Sequence, residues 1–386
     1  MNFNSLLFLF LFLPITLLGF YLINRKGPYK WSFIWLVGAS IIFYGFWNLV
    51  LTGVLFGSVL TNYVLARFIN SSQGNKVNSK KILYFGIICN LGVLIFFKNF
   101  GFYGGSLTQD FSPTYSLNVI IPIGLSFLTF QQIIYLVEVW RGKVDGNYFW
   151  NYFLYVVFFP QLLSGPIVRP NEFFPQLSGK NFFKLKADQI AAGLTIFSCG
   201  LFKKVVLADG IARYSNSAFD AVSEGAVLSL MEAWSGTLSF TLQVYFDLSG
   251  YSDMAVGLGC LFGIRIPINF ESPYKASSLI EFWHRWHMTL SRFVRDYIYI
   301  PLGGNRRGSL KRTGNIFIIM VIGGAWHGMG ATFVVWGIFH GGFLVLNHFW
   351  RQLQNLLGYS LERKNLIYEI SGCMITFLIV AVLWVL

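Results

Sequence analysis

Apolar runs of membrane-spanning length recur along the whole chain, and they constrain its fold more than any other feature. SLLFLFLFLPITLLGFYLI near the start, ILYFGIICNLGVLIFF in the first third and ISGCMITFLIVAVLWVL at the end are each long enough, as helices, to cross a hydrocarbon core of about 30 Å. Only 12% of the 386 residues are charged, against roughly 25% in soluble domains, so polar surface cannot cover this chain in water. Lipid leaves no water to satisfy an open sheet edge. The expected fold is therefore all-α, a polytopic integral membrane protein with about ten to twelve membrane helices by length.

The first charge is Arg25. The N-terminal run thus lacks the basic flank of a secretory signal and has no small-residue cleavage site, so it reads as a retained helix. Cys89, Cys199, Cys260 and Cys373 lie in or beside apolar stretches without CxxC spacing, which points neither to a disulfide framework nor to zinc. The net charge of +13 raises the question of nucleic acid, but no aromatic-basic module accompanies it. The basic residues gather between apolar runs, where membrane topology places them.

Arg25, Lys26 and Lys30 follow the first run, and Lys76, Lys80 and Lys81 follow the third. Two spans separate these clusters, so both fall on one side, and excess positive charge marks that side as cytoplasmic. The next span delivers residues 101 to 117, whose single charge is Asp110, to the outside, and the following one returns Arg141 and Lys143. Lys203 and Lys204 conflict with this pattern. FFPQLLSGPIVRP, residues 158 to 170, is too short and too broken for a span. It reads as a re-entrant segment, because irregular backbone persists at membrane depth only inside protein or beside a cavity.

Seven arginines and lysines lie between Arg285 and Arg312, and Arg351, Arg363 and Lys364 form a further cluster. With both inside, residues 315 to 350 must enter the membrane and return, with GGAWHG (323 to 328) near the turn. A helix from Thr313 would carry His327 about 21 Å inward. An ionisable ring at that depth is costly and is a functional candidate by default. Gly323, Gly324 and Gly328 beside it permit close backbone approach or a helix break.

All five histidines fall in the last third: His284, His287, His327, His340 and His348. Any one of them has a bland reading as a hydrogen-bonded packing residue. EFWHRWHMTLSRFVRDYIYI (281 to 300) reads as one amphipathic helix, with Arg285, Arg292, Arg295 and Asp296 on one face and Trp283, Trp286, Leu290, Val294 and Tyr297 opposite. On that helix His287 turns toward protein or a cavity and His284 toward solvent. Glu281, His284 and His287 stand at metal-like spacing, yet a di-iron bundle needs a second such motif and further glutamates. No metal and no bound cofactor is expected.

IPIGLSFLTFQQ, FFPQLLSGPIVRP, GLFKKVVLAD, QVYFDLSGYSDMAVGLG, FWHRWHMTLSRFVRDYIYIPLGGNRRG and GGAWHG, in that order, resemble the membrane-bound O-acyltransferases, most closely the bacterial branch that acetylates alginate and peptidoglycan. The resemblance implies a ring of helices around a thin core with a central tunnel and re-entrant segments, in the bacterial inner membrane. It implies His327 as the catalytic residue and His287 as the second family histidine. Trp326, Trp283, Trp286, Asp253 and Arg285 would line the tunnel or substrate path, although a structural hydrogen bond explains Asp253 equally well. Acetyl-CoA would be the donor; the forked guanidinium groups of Arg285, Arg292, Arg295, Arg306 and Arg307 suit its phosphates, although membrane topology and anionic lipid headgroups explain this cluster equally well. An exported polysaccharide would be the acceptor, reached through an extracytoplasmic partner of serine hydrolase type, because the chain itself has no GxSxG elbow.

On this expectation residues 1–386 form a single membrane-embedded acyltransferase domain that stops short of the family's C-terminal helices. A neutral imidazole, kept so by burial, would take the acceptor's proton or the acyl group itself. Two alternatives remain open. One is a D-alanyl or lipid acyltransferase on the same scaffold. The other is a proton-coupled transporter using His327, His287 and Asp253 as a relay, for which the hydropathy pattern offers no inverted repeat.

Overall fold

A computed structural model describes residues 1–26, 29–46, 48–107, 124–162, 165–177, 186–306, 308–328, 330–358 and 366–386. Asp110, Arg307, Arg363 and Lys364, used above for orientation and donor binding, lie outside the described residues. Every regular element among the described residues is helical. The longer helices are α1 (Leu13–Lys26), α2 (Tyr29–Gly45), α3 (Leu49–Ser71), α4 (Lys76–Leu107), α5 (Leu125–Trp140), α6 (Phe149–Val157), α7 (Ala187–Phe202), α8 (Asp209–Ser223), α9 (Leu230–Leu261), α10 (Leu279–Arg285), α11 (Met288–Val294), α12 (Ser309–His327), α13 (Ala331–Leu356) and α14 (Leu366–Trp384).

Among the described residues, six stretches are long and apolar enough to cross a bilayer: 8–25, 51–71, 76–98, 187–223, 331–356 and 366–384. Lys30–Gly45 and Leu125–Trp140 are apolar but shorter, and α12 carries Lys311 and Arg312 in its first turn. Chain packing resolves two compact units, Met1–Leu201 with Tyr251–Pro267, and Phe202–Gly250 with Ile268–Leu386.

In the first unit, α1 and α2 are tied where Trp35 Nε1 donates to the Thr16 carbonyl at 2.9 Å. Asn62 on α3 and Asn90 on α4 exchange amide hydrogen bonds of 3.1 and 2.7 Å. Such a pair holds two membrane helices together where apolar contact alone gives no preference over lipid. Helix α5 is buried at every residue from Leu128 to Val139. The FFPQLLSGPIVRP segment forms one turn, Phe159–Leu162, and its residues 165–169 are irregular before the turn Pro170–Phe173. Its described residues are almost all buried, and Tyr155 Oη donates to the Val168 carbonyl at 2.9 Å. Broken backbone wrapped in protein is what the re-entrant reading requires.

The second unit contains the α12–α13 hairpin. A Cβ at Gly324 would fall on the Phe333 carbonyl oxygen, and one at Gly337 on the Met320 carbonyl oxygen. These two glycines let the helix backbones meet, as small residues do in membrane helix pairs. Ala276, Leu279, Ile280, Phe282, Trp286, Leu344 and Val380 form the apolar core under the hairpin. Lys204, the residue at odds with the topology pattern, lies in a π-helical stretch, Lys203–Ala208. Its Nζ pairs with Asp209 at 2.9 Å and with Asp247. A lysine paired with two carboxylates inside an apolar helix adds no net positive charge there, so Lys204 carries little topological signal.

Candidate active site

Helix α12 runs unbroken from Ser309 to His327, so His327 stands at its C-terminal end and the hairpin turns immediately after it. Gly328 is extended and α13 begins at Ala331. The three glycines of GGAWHG differ in role. Gly324 makes the backbone contact described above, the Phe333 ring fills the space beside Gly328, and Gly323 has nothing near its absent Cβ.

His327 is exposed. Its ring lies 4.5 Å from the Trp326 indole, and it meets the Trp336 indole of α13 edge to face at 5.3 Å. The enclosure expected of His327 is found instead at His287 and His340. Trp336 is itself only 7% exposed. The second helix of the hairpin therefore supplies a rigid aromatic wall to a reachable imidazole.

The single helix expected over residues 281 to 300 breaks in two. Ser278 caps α10 by accepting from the Glu281 amide, Trp286 is extended, and His287 adopts φ 43°, ψ 53° in the left-handed region before α11 starts. Asn269 holds the break: its carbonyl accepts from the Met288 amide at 2.8 Å, and its side-chain oxygen accepts from the Thr289 amide and hydroxyl at 3.1 and 2.9 Å. The continuous 100° progression of side chains therefore ends at Trp286, and the face assigned to His287 on a single helix does not hold. A non-glycine residue in this conformation stores strain that its surroundings must offset, a recurring property of functional positions.

His287 is partly buried, with its ring 5.8 Å from Phe270. Burial first, then the nearby His327, lowers its imidazole from 6.5 to about 4, so the ring is neutral at physiological pH. His284 is exposed, in agreement with a solvent-facing role.

The tryptophans divide. Trp283 meets Trp336 edge to face at 5.9 Å and His340 at 5.3 Å, so it belongs to the same aromatic group as His327. Trp286 instead sits in the core, stacked on Phe282 at 5.5 Å and against Trp384 at 5.0 Å. It supports the site from beneath. Arg285 is committed to Glu281, 2.8 Å away. Burial alone would raise the Glu281 carboxyl, but hydrogen bonds from Ser277 and Arg285 outweigh it and leave the group below its ordinary value. Arg295 is paired with Asp296 at 2.7 Å. Asp253 is partly buried on α9 in the first unit, whereas every histidine belongs to the second.

Sequence reasoning passed over His340, Trp336 and Trp384. The first two had a readable signal: WGIFHGG (336 to 342) sets tryptophan and histidine four apart on one helical face, each followed by glycine. Trp384, from α14, lies 5.9 Å from both Trp336 and His340, and nothing in its local sequence announces this. His348 shares its Nδ1 with the Arg312 guanidinium at 2.9 Å, a second tie between α12 and α13.

An accessible imidazole against indole walls, with a neutral second imidazole nearby, is suited to moving a proton or an acyl group. Residues 141–383 match the model of the MBOAT, membrane-bound O-acyltransferase family. The chain belongs to that family. It is a multi-pass membrane acyltransferase, and several relatives share most of its length. The peptidoglycan O-acetyltransferase of Helicobacter pylori is 42% identical over 88% of this chain and 69% of its own. A probable alginate O-acetylase of Pseudomonas aeruginosa is 34% identical over 100% of this chain and 72% of its own. The teichoic acid D-alanyltransferase of Bacillus subtilis is more distant, 28% identical over 58% of each chain.

Proposed function

We propose that this acyltransferase moves an acetyl group from cytoplasmic acetyl-CoA to hydroxyls of an exported cell-envelope polysaccharide, of the peptidoglycan or alginate type, in a bacterial inner membrane. The observation that carries the reading is the reachable His327 ring at the hairpin turn, walled by Trp326 and Trp336. The names of the more similar relatives supply the acetyl group and the class of acceptor.

In the reaction, a ring nitrogen of His327 accepts the proton of the attacking hydroxyl as the oxygen bonds to the thioester carbonyl carbon. The tetrahedral intermediate collapses, the C–S bond breaks, and the departing thiolate takes the proton back from the imidazolium. Indole faces beside the ring stabilise the transient cation. His287, held neutral, adds no competing positive charge. Arg285 and Arg295 reach donor phosphates only by loosening their carboxylate pairs, whereas the exposed Arg306 is ready to meet them. Delivery to the final polysaccharide falls to an extracytoplasmic partner of serine hydrolase type, since the chain has no nucleophile elbow of its own.

Purified protein given radiolabelled acetyl-CoA should release or transfer label, and His327→Ala should lower that turnover by about 100-fold or more. Unchanged turnover in the variant would remove His327 from the chemistry. A clear preference for a carrier-bound D-alanyl donor in competition would replace the acetyl-CoA reading.

A further inference from the structure

His340 is fully buried, 0% exposed, on a helix long and apolar enough to cross a membrane. Neither of its ring nitrogens has a hydrogen-bond partner among the described residues. Its ring is boxed by three tryptophans, 4.4 Å from Trp336, 5.3 Å from Trp283 and 5.9 Å from Trp384. Trp283 Nε1 in the same box is also buried without a partner among the described residues. By contrast, Trp384 Nε1 donates to Tyr274 Oη at 3.2 Å, and Tyr274 Oη donates to the Thr241 carbonyl at 2.8 Å.

An apolar ring would fill this box at lower free energy, since a buried polar group without a partner is destabilising. An imidazole in this box, with both nitrogens unpartnered among the described residues, points to a role beyond packing. Trp336, one helical turn from His340, touches both that ring and His327. His327 is also close enough for its charge to act on both His340 and His287.

We infer that His340 is a positioning residue for His327: it fixes the Trp336 indole against the catalytic ring and, with Trp283 Nε1, offers a donor–acceptor pair to a small hydroxyl-bearing group, a water or the acceptor's own hydroxyl. The indole N–H can only donate, and a neutral imidazole can both donate and accept, so one hydroxyl satisfies both sides. The catalytic centre then sets the exposed His327 and the buried His340 on either side of Trp336. This inference rests on the acetyl-transfer reading.

The test compares wild type, His327→Ala, His340→Phe and His340→Gln as full-length purified chains, measuring thermal unfolding, kcat and KM for acetyl-CoA. His340→Phe keeps a ring in the box and removes both nitrogens. It should unfold at the same temperature or higher, yet lose about 10- to 100-fold in kcat with KM for the donor within about twofold, the signature of a misplaced catalytic group. His340→Gln, which restores a donor and an acceptor, should recover part of that loss. Wild-type kcat in His340→Phe would overturn the inference. So would equal losses of kcat in both variants in proportion to lost thermal stability, which is the mark of a packing role. If His340→Phe does not fold, His340→Gln decides: a stable glutamine variant with lowered kcat and KM for acetyl-CoA within about twofold supports the inference, and wild-type kcat in it overturns the inference. A wild type without turnover sinks the acetyl-transfer reading itself and this inference with it, whereas an active wild type with an equally active His340→Phe sinks only the inference.

Discussion

At the scale of the residue, the site depends on where protons can and cannot reside. His287 has its imidazole lowered from 6.5 to about 4, a difference equivalent to about 3 kcal/mol between protonation states. Because its folded value is depressed, its contribution is fully present above pH 6.5 and is lost as pH falls toward 4, where the unfolded chain binds a proton that the folded one resists. Chemical unfolding in detergent should therefore show stability falling across this window, and His287→Asn should flatten the fall. Asparagine tolerates the left-handed backbone found there, so the comparison isolates the ring. An unchanged pH dependence in that variant would assign the titration to another group. His327, His287 and Trp283 were legible as residues, because ionisable and aromatic groups inside apolar sequence are costly and stand out. His340 was not singled out, since its significance lies in what it fails to pair with, and only packing reveals that.

At the scale of the element, the α12–α13 hairpin positions the His327 ring, and its geometry depends on backbone contact at Gly324 and Gly337. Gly337→Ala drives a methyl into the Met320 carbonyl and should lower stability by about 1–3 kcal/mol, as overpacking does. Gly323→Ala, which meets nothing within 4 Å, should leave thermal unfolding unchanged. Equal effects in the two variants would mean the hairpin is not held by close approach. Between α3 and α4, Asn62→Ala removes one side of a reciprocal amide pair and should cost about 1 kcal/mol, the usual worth of interhelical hydrogen bonds in membranes. The hairpin could be read from basic clusters on both sides of one apolar stretch. The break at Trp286 and His287 could not, because an amphipathic pattern carries no sign that Asn269, far back in sequence, intercepts the amides of Met288 and Thr289. Local periodicity reports which face is apolar, whereas a distant side chain decides whether the helix continues.

At the scale of the whole molecule, the reading is of an acyltransferase that works within a membrane. Its hairpin should enter and return to one side. Lys311→Cys and Asn355→Cys, both at exposed positions, should react with a membrane-impermeant thiol reagent only from the cytoplasmic face, in a background with the four native cysteines replaced. Labelling of the two from opposite faces would break the hairpin topology. Fold class was legible throughout because apolar length and the scarcity of charge leave helices as the solution in lipid. The span count was less so: Lys30–Gly45 and Leu125–Trp140 are apolar but short, and length alone does not say whether such a helix crosses the bilayer. The central claim is that the ring of His327, by accepting the proton of the attacking hydroxyl, enables transfer of an acetyl group toward an exported glycan. Its most direct test is mass spectrometry of envelope polysaccharides from cells carrying either the intact protein or His327→Ala at equal membrane abundance. Loss of O-acetyl groups in the variant is the predicted result, and an unaltered degree of O-acetylation would contradict it.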